Sequence, residues 1–436
     1  MQRGEKGGGK VRILIVGKGG REHALAWRLR QDAETEALFV APGNPGTATL
    51  AENVAIGESD AGALIDFCRS QEIDLVVIGP EEPLVNGLAD DLRQAGLTVF
   101  GPSKAAAQIE GSKAAAKEVM ERAGVPTAQA QLCITPAQAW AAVEAMGCPV
   151  VIKADGLAAG KGVTVAKTTE AAQQAIDAAL VERRFGEAGN QILVERYVEG
   201  PEFSAFALTD GQRFIAFPFS MDHKALLEDD RGPNTGGMGA ICPAAFVPAE
   251  GYRAVMTHVF TPTLRALADE GRPFVGLLYA GLKWTKQGPV VLEFNARFGD
   301  PETQALLPLV QGSLATALYS AATGALQTHA ISFASTASCC IVAASEGYPA
   351  APRLGDRIEG LASLSEDLLL FQAGTRVEGG SLYTASGRVF SVVAVRPTLL
   401  EAVAAAYQGI RTLSFRGMQY RKDIGAQALR WALQQR

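Results

Sequence analysis

The first hundred residues repeat one pattern: a β-branched apolar run, a glycine or proline turn, then apolar residues at helical spacing. VRILIVGKGG runs into REHALAWRLR, ALFVAPGN is followed by ALIDFCRSQ, and IDLVVIGP by EEPLVNGLADDLRQAG, before LTVFGPSKAAAQ. Continuous apolar runs describe strands buried on both faces, and helices between them place successive strands parallel. Residues 11–112 therefore form an open parallel α/β sheet, with ligands expected where the strands end in turns. The polar, glycine-rich MQRGEKGGGK ahead of it reads as a disordered leader over residues 1–10, and VRILIV is too short for a signal core or a membrane span.

At 436 residues, with 48% apolar residues, 47 glycines and 21 prolines, the chain has material for about three domains. Composition shifts near 113 and again near 331, which divides it into 11–112, 113–330 and 331–436. A net charge of −6 argues against a nucleic-acid partner. The six cysteines form no CxxC pair and the four histidines no HExxH, so a reduced, cytoplasmic protein with no membrane partner is expected.

The loop Gly17-Lys18-Gly19-Gly20-Arg21-Glu22 has two glycines of a dinucleotide fingerprint, but Glu22 holds the third position and no acid ends the second strand. A phosphate monoester still suits backbone N–H groups at Gly19, Gly20 and Arg21; a plain strand-to-helix turn explains the glycines equally well. His23, one turn into the helix, reads as an interface or capping residue.

Further on, PVVIKADGLAAGKGVTVAKT delivers Lys153 from a buried strand into a loop carrying Gly156, Gly160, Lys161 and Gly162, then into another strand. Such a loop can close over phosphates, yet it is strand-to-strand and lacks the Walker pattern. QILVERYVEGPEFSAFAL reads as strand, linker, strand; a linker of this kind offers backbone groups to a base, with Glu195 and Glu202 beside it. DHK (222–224) and RGPNTGGMGA (231–240) make irregular, polar loops. In VVLEFNARFGDPETQ, Glu293, Asn295 and Arg297 alternate with Phe294 and Ala296, so one strand face carries three polar groups before the chain turns at Asp300, Pro301 and Glu302. The tail from about 335 is strand-rich and ends in the helix LLEAVAAAYQGI, a small α+β unit with Cys339 and Cys340 in its core.

Taken in order, GKGGREHALAW, VAPGNPGTA, VVIGPEEPLVNGL, FGPSKAAAQIEGSKAAAKE, VIKADGLAAGKGV, DHK, GPNTGGMGA, GLLYAGL and EFNARFGDPETQ resemble the phosphoribosylamine–glycine ligase family of the ATP-grasp superfamily. The resemblance implies an N-terminal open parallel α/β sheet, a central ATP-grasp domain and a small C-terminal α+β domain. It implies a ligase that uses ATP and Mg²⁺ (or Mn²⁺) to join glycine to phosphoribosylamine through glycyl phosphate, and a monomer. Lys113 and Lys153 are assigned to the ATP phosphates with the Gly160–Gly162 loop, Glu195 and the backbone at Val198 to adenine, and Glu202 to ribose. Glu293 and Asn295 become metal ligands, and Arg297 an anion clamp that acts in catalysis with Lys153. Gly19, Gly20, Arg21, Asn44, Asp222, His223 and Lys224 are placed at the substrates, His223 against phosphoribosylamine, with Asp300 and Glu302 by the glycine ammonium. Departures are the absence of an acid in FVGLLYAGLKWT, Gln372 where histidine is expected, and no glycine after the YP pair of YPAAPRLGD. Another ATP-grasp ligase, or a nucleotide-binding regulator without turnover, stays open as an alternative.

Overall fold

A computed structural model describes residues 9–158 and 162–434; most of the leader expected over 1–10, and Gly160 and Lys161 of the glycine-rich loop after Lys153, lie outside them. The N-terminal unit is a five-stranded, all-parallel sheet in the order Glu52–Asn53, Thr35–Pro42, Val11–Gly17, Leu75–Ile78 and Val99–Phe100. Ile13, Leu14, Ile15 and Val16 are fully buried, as strands covered on both faces must be. Strand order reverses on either side of Val11–Gly17, so the Gly17–Gly20 turn opens at the switch point, where such sheets bind ligands.

The middle of the chain forms two antiparallel four-stranded sheets. One is ordered Ala130–Cys133, Ile192–Arg196, Val150–Ala154, Val163–Ala166; the other Phe214–Ala216, Glu202–Asp210, Val275–Thr285, Gly288–Asn295. Residues 197–201 link them. The C-terminal sheet runs Met221–Asp222, Gly239–Cys242, Ala337–Ala344, Arg388–Arg396, Leu369–Gln372, with the helix Leu399–Ile410 packed on it. Its first two strands come from the middle of the chain. The loop between them, 223–238, is therefore gripped at both ends by a sheet that also holds the C-terminal residues.

The N- and C-terminal units meet at His23. Its Nδ1 accepts the Gln372 amide at 2.8 Å and its ring stands edge-on to Phe371. Asn44 donates to the carbonyls of Gln372 (2.9 Å) and Lys18 (2.8 Å), closing the same joint. Burial pushes the His23 imidazole down to about 4, against a smaller opposing pull from the Gln372 contact. A histidine near 6.5 when unfolded and near 4 when folded leaves stability complete above pH 6.5 and lost as pH falls from 6.5 towards 4, by at most about 3 kcal/mol. Urea denaturation between pH 7.5 and 5 should show that slope, and His23→Gln should flatten it; an unchanged slope would remove His23 from the titration.

Candidate active site

The first central sheet has two unlike faces. Cys133, Val150, Ile152, Ala166, Ile192 and Val194 pack as a core with the helices Pro136–Met146 and Thr169–Ile176. On the alternate face the two outer strands stay open, Leu132 and Val165 each 46% exposed, while Leu193 between them is buried and Val151 sits between Val165 and Glu195 in register. Lys153 belongs to this apolar face two residues beyond Val151. Its Nζ donates to the Leu292 carbonyl (2.7 Å) and pairs with Glu195 Oε2 (2.8 Å), tying one sheet to the other. The other Glu195 oxygen faces Lys117 Nζ at 3.3 Å, and that lysine also donates to Thr127 Oγ1 (2.6 Å) and the Ala128 carbonyl (2.9 Å). Lys113, one turn earlier on the helix Lys113–Arg122, reaches the Gly156 carbonyl at 3.2 Å. Asp155 holds that helix end through Ser112 Oγ and the Ala114 amide. Gly162 lies so close to Ala154 and Ala158 that a Cβ would press on both.

The second sheet brings its polar side chains to one face because strand parity aligns them. Glu202 is opposite Lys283, Ser204 opposite Gly281, Gly281 opposite Glu293, and Tyr279 opposite Asn295. Between Gly281 and Leu282 the register shifts, so Leu292 is an extra residue in its strand, and this bulge supplies the carbonyl that Lys153 takes. Lys283 donates to the Val198 carbonyl (2.9 Å) and lies over the Tyr197 ring, bracing the linker. Glu202 stands at the open end, 3.8 Å from Lys283 and 3.9 Å from Lys224.

Glu293 would be pushed up by burial, but Lys224, Lys113, Lys153 and Arg297 outweigh that and hold its carboxyl below the usual range. Position 281 across from it is glycine, so the facing strand adds no acid. Among the described residues no group of three or more His, Cys, Asp or Glu side chains is placed to hold a metal. Glu293 and Asn295 offer one anionic and one neutral hard oxygen, a donor set that fits Mg²⁺ or Mn²⁺ with the remaining positions left to phosphate and water.

Past the strand, Arg297 Nε meets Glu81 at 3.2 Å, Nη2 meets Glu110 at 3.4 Å, and Nη1 donates to the Phe298 carbonyl. Arg297 chiefly, together with Arg21 and against the effect of burial, holds Glu81 down to about 2; burial pushes Glu110 up to about 7 against the pull of Arg297. Arg21 joins the network through Glu22 (2.5 Å), Glu81 (3.8 Å) and the Phe298 carbonyl (3.1 Å). Asp300 pairs with Arg388 (3.1 Å) and accepts from Gln304 (2.7 Å). Glu302 folds under Gly299 and faces Tyr279, Asp222 and Lys224; burial first and Asp222 second push its carboxyl up. Lys224 holds Asp222 at 3.0 Å.

Two residues expected at the substrates have their side-chain polar atoms engaged within the protein. His223 is buried in the C-terminal sheet, its Nδ1 against the Gly239 carbonyl and its Nε2 accepting the Gly425 amide at 3.2 Å. Asn44 spends its amide on backbone, accepting from Gly46 and Thr47 besides the two donations described above. Both serve loop shape, since neither has a polar atom left to offer. The Glu22 carboxylate takes the Gly19 amide at 2.6 Å and fills the space where a Cβ at Gly17 or Gly79 would stand. Glu22 stands where a dinucleotide fingerprint has its third glycine, and its carboxylate caps the turn at Gly19, which leaves the Gly20 and Arg21 amides at the helix end.

The chain matches the phosphoribosylglycinamide synthetase N domain over residues 11–110, the ATP-grasp (A) domain over 111–303 and the C domain over 338–427. It is 44% identical over 419 residues to the phosphoribosylamine–glycine ligase of Halalkalibacterium halodurans, covering 96% of this chain and 97% of that one. The chain belongs to the phosphoribosylamine–glycine ligase family. It is an ATP-grasp carbon–nitrogen ligase of purine biosynthesis, forming glycinamide ribonucleotide. The crystal structure of the Thermotoga maritima phosphoribosylamine–glycine ligase superposes with a TM-score of 0.84 at 32% identity, over 95% of this chain and all of that one. A Campylobacter jejuni biotin carboxylase, at 14% identity over 94% of this chain and 93% of that one with a TM-score of 0.71, shares the fold alone.

Within this site, sequence reasoning passed over Lys117, Lys283, Glu110 and Arg388. Lys117 had a signal: it follows Lys113 by four residues, which puts both ammonium groups on one helix face. Lys283 shares its strand face with Tyr279 and Gly281, a two-residue spacing that was legible once Glu293 was placed. Glu110 and Arg388 had none, because their partners lie in other domains.

Proposed function

We propose that the ligation runs through glycyl phosphate: a glycine carboxylate oxygen attacks the γ-phosphorus of ATP and ADP leaves. The phosphoribosylamine nitrogen then attacks the glycyl carbonyl carbon, phosphate leaves with the bonding pair, and the nitrogen gives up a proton. The observation that carries this reading is that Lys224, Lys113, Lys153 and Arg297 together outweigh burial and hold the Glu293 carboxyl below its usual range, with Lys153 tied to the Leu292 carbonyl next to it. Bringing a carboxylate to a polyphosphate needs such a concentration of fixed positive charge.

In this reading the open apolar face with Leu132, Val151 and Val165 receives adenine, beside Glu195 and the backbone at Val198, and Glu202 receives the ribose hydroxyls. Lys113 and Lys153, with the loop that includes Gly160, Lys161 and Gly162, hold the phosphates. Glu293 and Asn295 would hold Mg²⁺ or Mn²⁺, which supplies further compensation of phosphate charge when bound. Arg297 meets the anion being transferred or the glycine carboxylate, with a planar fork suited to either. Glu302 and Asp222 face the glycine ammonium while Asp300 stays with Arg388. The Gly19–Arg21 turn receives the phosphoribosylamine phosphate at its helix end. Working boundaries are 11–112, 113–330 and 331–436, and the enzyme acts as a cytoplasmic monomer. The six cysteines are unpaired, in line with a reducing compartment, and no helix among the described residues is long and apolar enough to cross a membrane.

ADP release should require glycine and phosphoribosylamine together. Release that persists without glycine points to another ATP-grasp substrate, and no release with both present would sink the reading.

A further inference from the structure

Glu110 ends the helix Lys104–Gly111, three residues before Lys113, and is only 7% exposed. One of its oxygens accepts the Ala296 amide at 2.7 Å; the other faces Arg297 Nη2 at 3.4 Å. The strand Gly288–Asn295 is at the edge of its sheet, pairing with Val275–Thr285 on one side, so its outer backbone groups take partners from elsewhere: Pro126 and Thr127 at Val291, and Lys153 at Leu292. At the point where the strand ends, Glu110 supplies one. The same carboxylate thus fixes the backbone just past Asn295 and one edge of the next guanidinium, while Glu81 fixes the other edge at Nε. A buried carboxylate is retained only where its partners offset desolvation, and here the partners are two groups of the strand that carries the chemistry.

We propose that Glu110 is a positioning residue of the ligase, holding Arg297 in the orientation that presents its fork to the reacting anion. The proposal rests on the role given above to Arg297. It explains why a helix of the N-terminal unit runs directly into the helix that bears Lys113. One junction, Glu110 to Lys113, aligns the anion clamp and the phosphate lysine together.

Glu110→Gln tests it, since the amide keeps the size and an oxygen for Ala296 but removes the charge that Arg297 meets. Turnover should fall roughly tenfold to hundredfold, the scale for a misplaced reacting group. Affinity for ADP, which lacks the group Arg297 meets, should stay at the parent level, and the variant should remain folded. In an Arg297→Lys background the same change should add less than a twofold effect, because the group it positions is already altered. Glu110→Asp, which keeps the charge but withdraws it, should lose less than the Gln variant and serves if that variant folds poorly. Turnover at the parent level in both variants, or full multiplicative losses in the Arg297→Lys background, would overturn the proposal. Failure of the unaltered chain to release ADP with both substrates strikes the functional reading instead, so the two are separable.

Discussion

Lys153→Met is expected to lower turnover by about 10²- to 10³-fold, the scale for removing one fixed positive group from a charged transition state. The side chain keeps its length and its apolar stem, so the sheet face beneath it should stay packed. What is lost is an ammonium that uses two of its three donors on Glu195 and the Leu292 carbonyl and has a third to offer. Titrations with adenosine, ADP and a non-hydrolysable ATP analogue separate two roles for it. If the lysine serves phosphate, affinity should drop for the phosphorylated ligands and hold for adenosine. If adenosine weakens as much as ATP, the lysine acts through Glu195 on the base, and the phosphate assignment fails. Glu195 keeps Lys117 in the variant, which guards against a bare buried carboxylate confusing the outcome.

Much of this site was legible in the chain because it depends on short-range rules. Unbroken apolar runs between helical segments gave the parallel sheet, and two-residue alternation put Glu293 and Asn295 on one face of a strand whose other face, Phe294, is buried. The hairpin around Lys153 followed from two β-branched runs with glycines between them. Other features depend on partners far along the chain. The Leu292 bulge exists because its strand must satisfy the register of Val275–Thr285 while feeding Lys153 on the first sheet. Glu52–Asn53 is too short and polar to announce a strand, and is one only because Phe39 and Val40 offer an open edge. His223, beside an aspartate and a lysine, was placed against phosphoribosylamine, and long-range partners engage its ring nitrogens instead. These are Gly239, across a sheet, and Gly425, near the chain's end. Glu110 looked like any helix carboxylate until Arg297 arrived beside it.

Glu293→Gln separates charge from shape at the centre of the cleft. The amide keeps an oxygen donor in nearly the same place, so the strand, its Gly281 partner and the fold should be unaffected. The electrostatics change: the anion that Lys224, Lys113, Lys153 and Arg297 all stabilise is gone, and the local charge becomes more positive by one. Metal-free ATP should therefore bind the variant at least as tightly as the parent, since one anion competing with the phosphates for these cations is removed while Glu195, Asp222, Glu81 and Glu110 stay paired with them. Mg²⁺ should bind the complex more weakly by roughly one to two orders of magnitude, the scale of losing one charged ligand contact. Turnover at fixed Mg²⁺ should fall by about 10²-fold or more, with partial recovery as Mg²⁺ or Mn²⁺ is raised. Parallel titrations of metal and nucleotide distinguish this from general damage, which would weaken both ligands together. An unchanged metal midpoint would take Glu293 out of the metal site and leave its charge to balance the four cations while ATP is absent.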